Sequence, residues 1–213
     1  MPPPSIVSEL QLAASGGKVS VAELLRKAFI VASKLKIDDM RKWIDCELQG
    51  YARPPVPNYR VVSVEVLSRS VFGCQEFRIR DPELAKVFSH AAVRNPIAEI
   101  ENAANKEHEM VIEFSREITE RLTSGMMLAG KPFLRIPGNH LTGMVDNVRT
   151  VVLKWALRLE ENGIRGEGMS FSDDEKRKAS ETPGIHIAQF NGILGNANAD
   201  TIQIGEHGAI TGI

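Results

Sequence analysis

The chain has 213 residues, 43% of them hydrophobic and 25% charged, with a formal net charge of −1. That composition supports a globular domain with a real core, and the length fits one main domain with an appendage. The balanced charge gives no global reason to expect nucleic acid or an anionic membrane as partner.

Residues 5–14 read as a short helix with Ile6, Leu10 and Ala14 on one face, stopped by Ser15-Gly16-Gly17. Ser20 and Glu23 have capping-box spacing. Behind them Val21, Leu25, Ala28, Ala32 and Leu35 step by four, three, four and three, the stripe of an amphipathic helix. Asp38 or Asp39 can cap the next helix, which carries Met40, Trp43, Ile44 and Leu48 to a stop at Gly50. So short a connection predicts a helical hairpin packed stripe against stripe. "RPPVPN", residues 53–58, then breaks regular structure.

Residues 60–67 and 75–80 alternate as strands, with "SRSVFG" as the turn of a hairpin. Asp81-Pro82 and Asn95-Pro96 open short helices. Residues 110–114 form a strand, Ser115 caps a helix to Thr123, and 133–136 form a short strand. In residues 139–162, Leu141, Val145, Val148, Val152, Trp155 and Leu159 make one unbroken stripe, with Gly163 behind it. This long helix is the expected centre of packing. Ser172 and Glu175 form a second capping box, and the charged helix it opens ends near Pro183-Gly184. The fold class is therefore α+β: an N-terminal helical hairpin, a small mostly antiparallel sheet and a long C-terminal helix. The main domain is residues 1–182 and a β tail is residues 183–213.

Chemistry is sparse. The chain has no phosphate-cradling glycine loop and no nucleophile elbow, and its five histidines are scattered without metal-ligand spacing, so neither cofactor nor metal is expected. Asp146 and Arg149 stand three apart and read as a helix salt bridge. Asp173, Asp174 and Glu175 read as helix-terminus acids rather than a metal site. Cys46 and Cys74 form no C-x-x-C pair and fit a reduced compartment. The first residues have neither the basic nor the apolar part of a signal peptide, and no apolar run approaches the roughly 18 residues that cross a bilayer. A cytoplasmic, membrane-free protein is expected.

Two blocks carry a resemblance. One is "LLRKAFIVASKLKIDDMRKWIDCELQGYARPPVPNYRVV", residues 24–62; the other is "GMVDNVRTVVLKWALRLEENGIRGEGMSFS", residues 143–172. Trp43-Ile44, Glu47-Leu48, Gly50-Tyr51, Tyr59-Arg60, Val148-Arg149 and Trp155-Ala156-Leu157 make the chain similar to the AbiTii family of bacterial abortive-infection proteins. The resemblance implies a setting in antiphage defence and carries over no catalytic motif. Arg26, Glu47, Arg60, Arg149 and Glu160 are its charged positions, expected as ion pairs that fix helix register, with a ligand site on Arg26, Arg60 and Arg149 as the alternative. Arg135 and His140, separated by four residues, are similar to the Arg-x-His signature of helical ribonuclease domains in defence systems. The Ile136-Pro137-Gly138 turn between them argues against that site.

The tail supplies the last expectation. Asn191-Gly192 is a hairpin turn, and Ile202 and Ile204 alternate before Gly205. So short a hairpin buries too little of its apolar face to stand alone. Ile185, Ile187, Phe190, Ile193, Leu194, Ile202, Ile204 and Ile210 are therefore expected to pair with other copies and make a homo-oligomer, with packing back on the chain's own domain, or disorder, as the alternatives. The expected role is a non-enzymatic sensor, regulator or assembly scaffold, with a defence partner protein. The alternatives are an effector ribonuclease using Arg135 and His140, or a nucleotide- or nucleic-acid-binding module.

Overall fold

The computed structural model describes residues 5–53, 56–71, 73–105, 109–124 and 130–182, and the backbone of two short tail strands. Helices α1 (Ile6–Ser15), α2 (Val21–Leu35) and α3 (Asp38–Gln49) pack with α5 (Ile97–Asn105) and the long α7 (Gly138–Glu161). The stripe read from the sequence is the buried face of α7: Leu141, Val148, Val152, Trp155 and Leu159 are fully enclosed. They share one core with Leu24, Leu25 and Val31 of α2, and with Ile97 and Ile100 of α5. Among the described residues no helix is long and apolar enough to cross a membrane.

Local chemistry sets the helix starts. The Ser5 and Ser20 hydroxyls accept the backbone N–H groups of Ser8 and Glu23. At Ser20 the expected box is half formed, because Glu23 turns outward to Lys27 at 3.4 Å. At Ser172 both halves of the box are present and open α8 (Asp173–Glu181). Neither Asp38 nor Asp39 is the N-cap of α3, although Asp39 Oδ1 accepts the Met40 N–H at 2.9 Å. Ile37 is its N-cap, without a side-chain bond, and both acids lie in the first turn, where the helix dipole favours them. Gly50 ends α3 at φ +87; a Cβ there would meet the Arg94 carbonyl oxygen at 2.7 Å.

The strands form two sheets. The run 60–67 divides at Val64. Its first part is β1 (Val61–Ser63), which pairs antiparallel with β4 (His90–Val93). Its second part is β2 (Glu65–Ser70), which joins β3 (Gly73–Glu76) in the expected hairpin. On its other side β2 pairs antiparallel with β6 (Lys131–Ile136), which pairs with β5 (Met110–Glu113). The Val64 N–H donates to the Ser89 carbonyl at 3.0 Å, so this donor stays paired where the backbone passes from one sheet to the other. The second hairpin arm stops at Glu76, and Phe77 turns into the core. Helices α4 (Pro82–Val87) and α6 (Arg116–Thr123) start at Asp81 and Ser115, as read.

Two tail strands follow. β7 (Ile202–Ile204) pairs in parallel with β4 of its own chain, and β8 (Ile210–Thr211) pairs antiparallel with β7, giving the order β1-β4-β7-β8. Ala91, Ala92 and Val93 of β4 are buried, and β7 satisfies the backbone edge beside them. This sheet crosses the boundary expected at Pro183. Ile185, Ile187, Phe190, Ile193 and Leu194 lie outside the described residues.

Candidate functional site

The most concentrated chemistry lies where α3 meets the turn Asn58–Arg60 ahead of β1. Glu47 and Arg60 have no solvent exposure. The Arg60 Nη2 donates to Glu47 Oε2 at 2.5 Å and its Nε to Oε1 at 3.2 Å, a two-point clamp. Its Nη1 donates to the carbonyls of Val93 (3.1 Å) and Asn95 (2.7 Å), tying α3 to the end of β4. The Tyr51 and Tyr59 hydroxyls donate to Glu47 Oε1 at 2.6 and 2.5 Å, and Trp43 Nε1 donates to the Tyr59 hydroxyl at 3.1 Å. The Arg60 guanidinium lies 4.9 Å from the Tyr51 ring centroid.

Burial alone would ease the proton off Arg60, but the Glu47 carboxylate outweighs it and holds the guanidinium charged. Burial, reinforced by Glu47, pushes both phenols far up, so they stay protonated donors. The cluster is thus a satisfied, closed polar network. Arg60 is a brace rather than an open ligand site.

Arg149 has a different role from the one its spacing implied. Its partner is not Asp146 but Glu101 on α5, at 3.3 Å, and it also donates to the Val19 carbonyl. Both Glu101 oxygens take the Val21 N–H at 2.9 Å, so a carboxylate from α5 caps α2. Sequence reading missed Glu101. Its signal was an acid on the Ile97–Ile100–Ala104 face of a short helix. Arg26 is exposed on α2, so the three arginines of the proposed ligand site sit in three settings: open, fully buried and paired.

Arg135 projects from β6 into two carboxylates, Glu65 on the paired strand β2 and Glu109 at 3.1 Å. The bond to Glu65 holds its proton more firmly than usual. Arg135 borders an open groove of about 780 Å³ whose apolar side includes Leu67, Phe77, Ile79 and Phe88. His140 lies in the first turn of α7, across the buried Ile136 and the Pro137 N-cap. A neighbouring groove of about 560 Å³ shares Ile79 and adds Leu84, Arg121 and Leu122.

The acids of α8 are spoken for. Asp173 pairs with Lys176 at 2.9 Å, and Asp174 with Arg177 and Lys178. Burial alone would raise Glu175, but the N–H groups of Gly166, Ser172 and Arg165 outweigh it and hold the carboxyl below its usual range. Gly166, at φ +70, has no room for a Cβ, which would lie 2.9 Å from both Ile6 and Phe171. No group of His, Cys, Asp and Glu suited to a metal occurs among the described residues.

The AbiTii family model matches residues 5–184 of the 213. The chain belongs to the AbiTii family. That is a bacterial abortive-infection domain, which puts the chain in antiphage defence. No curated protein and no solved structure matches it. Several residues that carry the AbiTii likeness, Trp43, Glu47, Tyr51, Tyr59 and Arg60, converge in the one buried network, and Gly50 makes the close backbone approach beside it. These positions of the AbiTii domain read as a folding device that joins helices to sheet. The match ends at Gly184, ahead of β7 and β8.

Proposed function

We propose that this AbiTii chain serves abortive infection as a non-enzymatic sensor, regulator or assembly scaffold in the cytoplasm. In this reading it works as a homo-oligomer joined through residues 183–213. The observation that carries the non-enzymatic part is the occupation of three of its arginines. Arg60 is clamped by Glu47, Arg149 by Glu101, and Arg135 by Glu65 and Glu109. A guanidinium must be free to hold a scissile phosphate or a developing negative charge, and a carboxylate already in place opposes both.

Self-association is supported by the tail's alternating isoleucines and by the outer edge of the two-residue strand β8, which pairs with no further strand among the described residues. The tail then sets the copy number, and the helical domain is displayed to a trigger or a defence partner.

Two measurements test the reading. Purified protein is incubated with RNA beside Arg135→Ala and His140→Ala; no cleavage is expected. Cleavage that disappears in both variants would install the ribonuclease instead. Light scattering compares the full chain with one ending at Thr182. A mass that falls to the monomer on truncation is expected, and an unchanged mass removes the tail from assembly.

A further inference from the structure

The tail is unlike the domain it follows. Residues 183–213 contain no Lys or Arg, their acids are Asp200 and Glu206, and the rest is dominated by Gly, Asn, Ala and Ile. Within it β7 is Ile-Gln-Ile, and it pairs in parallel: Ala91 with Ile202, Ala92 with Gln203, Val93 with Ile204. On its other side, among the described residues, it pairs with Thr211 and Ile210 of β8. Among the described residues, the tail meets its own domain in this three-residue ladder, backed by a two-residue one.

We infer that Ile202–Ile204 exchanges its place beside β4 for an in-register parallel stack of the same strand from other copies, a cross-β assembly. This rests on the reading that the tail joins copies of the chain, and it names how. A parallel strand needs no change of pairing geometry to stack on its own kind. Along such a stack every Ile202 lies over Ile202 and every Ile204 over Ile204, on one face by the period of two. Every Gln203 lies over Gln203, where the amides form a ladder. Each backbone edge of the strand then meets an identical partner along all three residues, where among the described residues of its own chain the β8 ladder reaches Gln203 and Ile204 alone. Low charge and β-branched residues favour this arrangement. Gly205 and Gly208 follow the strand in the sequence, and glycine favours turns over strand interiors.

One term opposes the stack. The same register brings Asp200 over Asp200 and Glu206 over Glu206. Adjacent strands lie about 4.8 Å apart, well within the Debye length of roughly 10 Å at 0.1 M salt. That repulsion, with the cost of leaving β4, sets a threshold concentration below which the tail stays on its own domain. Above it assembly is nucleated and self-templating. A defence protein gains an all-or-none response from such a step, and its partner is a second copy of this chain.

The test uses the full chain at a series of concentrations, followed by thioflavin T fluorescence and fibre diffraction. Ile202→Asp and Ile204→Asp are run beside it, with thermal melts showing that the domain of each variant is intact. A lag that preformed seeds shorten, a reflection at about 4.7–4.8 Å, a shorter lag in concentrated salt and loss of assembly in both variants are the expected results. A closed oligomer of fixed mass without that reflection overturns cross-β stacking and leaves tail-mediated association standing. So does a fibre that both variants still form, if truncation at Thr182 abolishes it. A chain that is monomeric at every concentration overturns both.

Discussion

Glu47 on α3 and Arg60 at the entrance to β1 form a two-point ion pair with neither side chain in contact with water. Taking two charges out of water costs several kcal/mol each, and it is tolerable here because each guanidinium nitrogen and each carboxylate oxygen has a protein partner. The same accounting predicts an asymmetry. Glu47→Ala, which strands the guanidinium, is expected to cost about 3–5 kcal/mol of unfolding free energy. The double variant Glu47→Leu with Arg60→Met is expected to recover much of that loss. Urea denaturation of the single and double variants measures both.

Trp43 is nearly enclosed and donates to the Tyr59 hydroxyl. Trp43→Ala removes a large core side chain and one bond of the network, with an expected loss of about 3–5 kcal/mol. Thermal unfolding checks it. A variant with unchanged stability that has lost a binding activity would give Trp43 a recognition role instead.

Glu101 caps α2 from another helix and faces Arg149. Glu101→Gln keeps the shape but halves the acceptor oxygens and leaves Arg149 without its opposite charge. The expected cost is roughly 1–3 kcal/mol. Hydrogen exchange is expected to rise first at the N–H of Val21. Protection retained there would mean that the cap is supplied by another group.

Glu175 gives a pH dependence with a defined sign. Its folded carboxyl titrates below its unfolded value of about 4.3. The stability it contributes is therefore present above that value and is lost as the pH falls through the folded one. Urea midpoints measured from pH 6 down to pH 3 are expected to fall less steeply in Glu175→Gln than in the parent. Parallel curves would show that the three amides do not hold the carboxylate.

Regular local patterns were legible in the sequence. The α7 stripe, the serine caps, the β2–β3 hairpin and the Pro-opened helices follow from periodicity and from side chains bonding to backbone a few residues away. Interactions over a few residues depend on local order and form wherever the packed fold offers no stronger partner. β4 was not legible: His-Ala-Ala-Val is short, lacks alternation and owes its strand state to β1 on one side and β7 on the other. The division of the run 60–67 at Val64 was also hidden, since both halves have strand composition and only the positions of β4 and β6 decide which sheet each joins.

The charged residues divide in the same way. By itself the sequence determined the helical framework, the family-like residues and the charge available for pairing. The tertiary structure alone decided the pairs: Glu47 with Arg60 across 13 positions, Glu101 with Arg149 across 48, Glu65 with Arg135 across 70. Asp146, three residues from Arg149, lost to Glu101 because the attraction between charges grows as water is excluded, and Glu101 is buried where Asp146 is exposed. Sequence spacing sets which charges are neighbours along a helix; burial, which exists only once the helices and sheets have packed, sets which of them pair.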